Sequence, residues 1–158
     1  ALPICGPRRG GAAQPPAVAD GVSPGEIQRL FDAYVVMQAQ QELQLSDEQY
    51  PRFLARVKVL QAARQRGLAD RARIVQNLRR LDSAPTLDET QARNELRALA
   101  DVDARAVTEV RDALLGIDEV LDARQRIRFR IFEEQMERRK VDLLMRARQA
   151  NRARPQQP

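Results

Sequence analysis

At 158 residues and a net charge of +5, the chain is one domain at most, long enough for a modest core. Charged residues make up 31% and aromatics 4%; tryptophan and histidine are absent, and the one cysteine is Cys5. This excludes an intrachain disulfide, a histidine general base and a Glu-x-x-His di-iron site, and no 18-residue apolar run exists to span a membrane.

The charge is unevenly spread. Residues 123–158 hold 11 basic and 4 acidic side chains, a net of +7, whereas residues 21–122 hold 14 and 17, a net of −3. Nearly every cation is arginine, with Lys58 and Lys140 the exceptions. Ala, Leu, Arg, Gln and Glu dominate, as in long helices with a narrow apolar seam. The expected fold is therefore all-α, with four helices forming long antiparallel hairpins.

Residues 1–22, with Pro3, Pro7, Pro15, Pro16 and four glycines, read as a flexible leader. The helical domain is expected over 23–150, and 151–158 reads as a disordered basic tail. Helix 1 is predicted over 24–41, where Ile27, Leu30, Phe31, Tyr34 and Val35 recur at helical spacing. Helix 2 is predicted over 47–81, on a seam of Tyr50, Phe53, Leu54, Val57 and Leu60 that thins around Gly67 and resumes at Ile74, Leu78 and Leu81. Asp82-Ser83-Ala84-Pro85 should end it, which makes helices 2 and 3 antiparallel neighbours. Helix 3 is predicted over 87–117, on Leu96, Leu99, Val110 and Leu114. Helix 4 is predicted over 123–150, on Phe129, Phe132, Met136 and Leu143. The stretch 126–131 alternates Arg with Ile or Phe as a strand would, but with no partner strand in the chain helix is expected to win.

Each helix start carries a capping box, in which a short polar side chain accepts the N3 amide and a Glu or Gln at N3 bonds back. Two boxes share one form: Leu45-Ser46-Asp47-Glu48-Gln49 and Leu121-Asp122-Ala123-Arg124-Gln125. Ser23-Pro24-Gly25-Glu26 and Thr86-Leu87-Asp88-Glu89 are weaker versions. In the first strong box Leu45 and Tyr50 can form a hydrophobic staple; in the second, Arg126 stands where the staple would be. Losing Ser46 or Asp122 as a cap should cost about 1 kcal/mol, and losing Gln49 or Gln125 less.

The paired boxes Leu45, Ser46, Gln49 and Leu121, Asp122, Gln125 resemble the LTxxQ motif, which occurs twice in the Spy/CpxP family of periplasmic stress proteins. Metal-responsive relatives of that family are ZraP and CnrX. The resemblance spans about residues 24–150, with Ser and Asp replacing the Thr. It implies a dimer of bent helical hairpins in the periplasm or cell envelope, binding unfolded or partly folded proteins without ATP. It also allows a second role, a regulatory module of the heavy-metal-sensor kind docking on an envelope signalling protein. The metal sites of those relatives use histidines, which this chain lacks, so no metal or other cofactor is expected, and Met37, Met136 and Met145 read as seam fillers. No enzyme chemistry is expected.

The surface expected to hold clients is Arg126, Ile127, Arg128, Phe129, Arg130, Ile131 and Phe132, where arginine steers acidic segments and apolar side chains hold exposed hydrophobic ones. A third role, nucleic-acid binding by the basic last helix, is disfavoured by Glu133, Glu134, Glu137 and Asp142 in the same helix.

Overall fold

The structure, a computed structural model, describes residues 24–153. Four helices account for nearly all of it: α1 (Pro24–Leu43), α2 (Gln49–Ser83), α3 (Glu89–Asp118) and α4 (Ala123–Ala153). No strand occurs among the described residues. The 126–131 stretch is helical, because no second strand is there to share its hydrogen bonds. Each helix outruns its predicted end: α1 reaches Leu43, α2 Ser83, α3 Asp118 and α4 Ala153. The leader with Cys5, and Ser23 of the weaker first box, lie outside the described residues, as do residues 154–158.

Helices α2 and α3 lie antiparallel. Arg56 pairs with Glu119 at 3.1 Å, Arg66 with Glu109 at 3.2 Å and Arg71 with Asp103 at 3.1 Å, so positions rise along one helix as they fall along the other. These exposed pairs fix register more than they add stability. The turn between the helices is closed locally. Ser83 donates its hydroxyl to the Arg79 carbonyl, and Ala84 is extended, as the residue before Pro85 must be. At mid-length the helices meet where side chains are smallest: a Cβ added to Gly67 would stand 3.1 Å from the Ala106 Cβ.

Helices α1 and α4 cover only the half of this hairpin nearest the other two turns. The core there joins Val35, Ala39, Leu43 and Leu45 to Phe53, Val57, Leu60, Ala113, Ile117 and Leu121, and to Phe129, Phe132 and Met136. Phe53 and Phe129 meet edge to face at 5.7 Å, both fully buried. Polar bonds tie the layers. Gln61 donates to the Asp32 carbonyl at 2.9 Å, and the Tyr50 hydroxyl donates to the Val36 carbonyl at 2.9 Å. Arg64 of α2 forks onto Glu133 of α4, and both side chains are largely buried. Burial works to lower the Arg64 pKa, but the Glu133 hydrogen bond and the charges of Glu133, Glu137 and Asp32 outweigh it, so its pKa is raised above the ordinary value. Beyond these helices only Ile74 and Val102 are buried between α2 and α3, while Leu87 and Leu96 stand exposed near the tip.

Gly67 and Gly116 should respond oppositely to substitution. Gly67→Val forces α2 and α3 apart and should cost about 1–3 kcal/mol. Gly116→Ala meets only the flexible Arg56 side chain, at 3.5 Å, and should be neutral or stabilising by up to about 1 kcal/mol from helix propensity. Urea denaturation of both variants measures the contrast.

Candidate functional site

The α1–α2 and α3–α4 turns lie side by side, and the two strong boxes meet there. In the first, the Gln49 amide donates to Ser46 Oγ at 3.1 Å, and the Ser46 amide donates to Gln49 Oε1 at 3.3 Å. In the second, the Gln125 amide donates to Asp122 Oδ1 at 2.8 Å, and the Asp122 amide donates to Gln125 Oε1 at 3.0 Å. Although the regular part of α2 begins at Gln49, its hydrogen-bond ladder begins at Ser46, whose carbonyl accepts the Tyr50 amide at 3.0 Å.

The glutamines then reach across to each other. Gln49 Nε2 donates to Gln125 Oε1 at 2.8 Å, and Gln125 Nε2 donates to Gln49 Oε1 at 3.0 Å. The second hydrogen of each amide goes to the turn opposite: Gln49 Nε2 to the Val120 carbonyl at 3.1 Å, Gln125 Nε2 to the Gln44 carbonyl at 3.3 Å. Each carboxamide thus uses both hydrogens and both oxygen lone pairs. Gln125 is buried and Gln49 half-buried, so the bonds form where water competes poorly.

The turns are shaped to deliver those carbonyls. Helix α1 ends in a Schellman motif: the Leu45 amide donates to the Gln40 carbonyl at 3.0 Å and the Gln44 amide to the Gln41 carbonyl at 3.3 Å. Gln44 takes the left-handed position at φ 52°. Leu45 and Leu121, each just before its cap, are buried in the core cluster, and Tyr50 packs against it from the side. Arg126 replaces the missing staple differently: its Nε donates to the Asp118 carbonyl at 2.9 Å and the Leu121 carbonyl at 3.0 Å, closing the end of α3.

The expected client surface looks different once folded. Phe129 and Phe132 lie in the core and offer nothing to a client. The arginines between the apolar positions have partners within the chain. Besides Arg126, Arg128 donates to Gln44 Oε1 at 2.6 Å, and Arg130 pairs with Asp118 at 2.8 Å while lying 5.6 Å from the Phe129 ring centre. Only Ile127 and Ile131 stay open, 62% and 53% exposed. On α1, Leu30, Tyr34 and Met37 are also exposed, with Tyr34 stacked on Phe132 at 6.4 Å. A groove of about 510 Å³ opens on the hairpin, floored by Ala63, Gly67 and Ala106 and flanked by Leu68, Val107 and Val110. Of the three methionines only Met136 fills the seam; Met37 and Met145 point to solvent because no helix covers their faces. Among the described residues no three potential metal ligands gather, and no helix is long and apolar enough to cross a membrane.

The same sequence form recurs at Leu87-Asp88-Glu89-Thr90-Gln91, but there, among the described residues, only the Asp88 half of the box forms, with no return bond from Gln91. Asp88, not Thr86, caps α3, accepting the Gln91 amide at 3.0 Å. This box sits at the far end of the hairpin, exposed, with no second box beside it. The order L-D-x-x-Q was readable in the sequence, and what sets the other two apart is their pairing. No family model, no curated protein and no solved structure matches this chain. The Spy/CpxP resemblance rests on the boxes alone.

The geometry reverses one expected order of importance. Gln125→Ala removes one partner from Gln49 Nε2 and one from Gln49 Oε1, leaves the Gln44 carbonyl and the Asp122 backbone amide unpaired, and should cost about 2–3 kcal/mol. Ser46→Ala and Asp122→Ala should each cost about 1 kcal/mol, as simple caps do. Thermal denaturation of the three variants gives the ranking.

Proposed function

We propose that the chain is a binding protein of the cell envelope, a stress-response chaperone of the Spy/CpxP kind that holds partly folded clients without ATP and without enzyme chemistry. The observation that carries this reading is the pairing of the two LTxxQ-like boxes, which fastens α1 and α4 beside the hairpin. Support comes also from apolar side chains left open on the molecule: Leu30 and Met37 on α1, Ile127 and Ile131 on α4, Leu68 and Val107 beside the groove. The client-holding surface proposed is therefore these exposed residues, with Phe129 and Phe132 as the buried support beneath.

Apolar area of this extent also favours a homodimer over a lone protomer. In the dimer some of these side chains are shared between copies and the rest remain for clients.

Light scattering of a reduced, aggregating client should show suppression by the purified chain in the absence of ATP. The variant Leu30→Ser/Met37→Ser/Ile131→Ser should lose most of the protection while keeping its helical circular dichroism, since all three side chains are exposed. Equal protection by this variant removes the surface, and no protection by the parent removes the chaperone reading. Replacing Arg126, Arg128 and Arg130 together is a poorer test, because it also loosens the junction.

A further inference from the structure

We propose that the outer end of α4, residues 138–153, is a docking surface for an anionic lipid bilayer. The described hydrogen bonds and ion pairs between α4 and the other helices end at Lys140, whose Nζ donates to Gln28 Oε1 at 2.9 Å and sits 5.9 Å from the Phe31 ring centre. Helix α1 begins at Pro24, only one turn before Gln28, while α4 continues to Ala153. From Lys140 to Ala153 is roughly 20 Å of helix at 1.5 Å per residue.

This end is both basic and apolar. Arg138 and Lys140 are paired with Glu134 and Glu137; besides them Arg139, Arg146, Arg148 and Arg152 stand against the single acid Asp142, a net of +3. Arg139, Arg146, Arg148 and Arg152 are exposed and take part in none of the described ion pairs. Val141 and Met145, 52% and 57% exposed, are one turn apart on the face that also carries Arg148 and Arg152. Leu143, 42% exposed, is on the other side of the helix, seven residues on from Met136, where α1 no longer gives cover.

A bilayer surface accommodates both halves of this chemistry. Apolar side chains enter the boundary between headgroups and acyl chains, while arginine stems run along it and leave their guanidinium groups on the phosphates. Nucleic acid would use only the charge: residues 138–153 contain no aromatic side chain to stack on bases, and Val141 and Met145 would stay in water. The inference stands whether or not the chain is a chaperone.

The test is flotation of the full chain with vesicles of phosphatidylcholine alone and of phosphatidylcholine mixed with phosphatidylglycerol. Binding is expected to the mixed vesicles only, and to weaken with added salt. Arg146→Gln/Arg148→Gln/Arg152→Gln should lower partitioning roughly fivefold per arginine removed, while the matching Arg→Lys triple should retain it. Val141→Ser/Met145→Ser should lower it at unchanged charge. Failure to bind, equal binding to both vesicles, or full binding by the Ser variant overturns the proposal. So does displacement from vesicles by a mixed-sequence DNA duplex, which would assign the surface to nucleic acid.

Discussion

Two glutamine side chains, Gln49 and Gln125, hydrogen-bond reciprocally across a separation of 76 residues in sequence, and the arrangement of the four helices depends on that contact. Each amide does two jobs. Its oxygen closes its own capping box, and its nitrogen grips the other box and the turn before it. A cap is ordinarily a local device that ends one helix. Here two caps share their atoms, so the starts of α2 and α4 are set relative to each other in the same step that satisfies their first amides.

The consequences run outward from that point. Leu45 and Leu121 enter the core because they precede the caps, and Phe53 and Phe129, four residues after each glutamine, meet between the helices. The arginines of α4 secure the turns from outside, on the Asp118, Leu121 and Gln44 oxygens. With distance from the junction the cover fails. The far half of the hairpin keeps only Ile74 and Val102 buried, and α4 leaves α1 behind after Lys140. The surfaces free for binding are therefore those farthest from the paired amides or turned away from them.

Much of this was legible from residues close together in sequence. The four helices follow from seams at spacings of three and four, and the boxes at Ser46 and Asp122 are complete within four residues. What lies between distant residues was not legible. The pattern L-[S/D]-x-x-Q recurs at Leu87–Gln91, where Asp88 alone caps one helix and Gln91 reaches neither its own cap nor a second box. The Arg126–Ile131 stretch reads as an open basic and apolar surface, because a helical wheel does not show that Asp118 and Gln44 will stand beside it. Likewise Met37 and Met145 fit the seam spacing yet face solvent, since spacing identifies a side but not whether another helix reaches it.

The most direct test of the amide pair is to change donors without changing shape. A glutamate at N3 serves an isolated capping box well, but it has no N–H to give across the junction and sets a carboxylate against a carbonyl oxygen. Urea denaturation at neutral pH should show Gln125→Glu destabilised by about 2 kcal/mol or more, the cost of buried acceptors left facing each other, and Gln91→Glu within about 0.5 kcal/mol of the parent. Equal tolerance of glutamate at positions 125 and 91 would contradict the account, because the two boxes would then be independent caps.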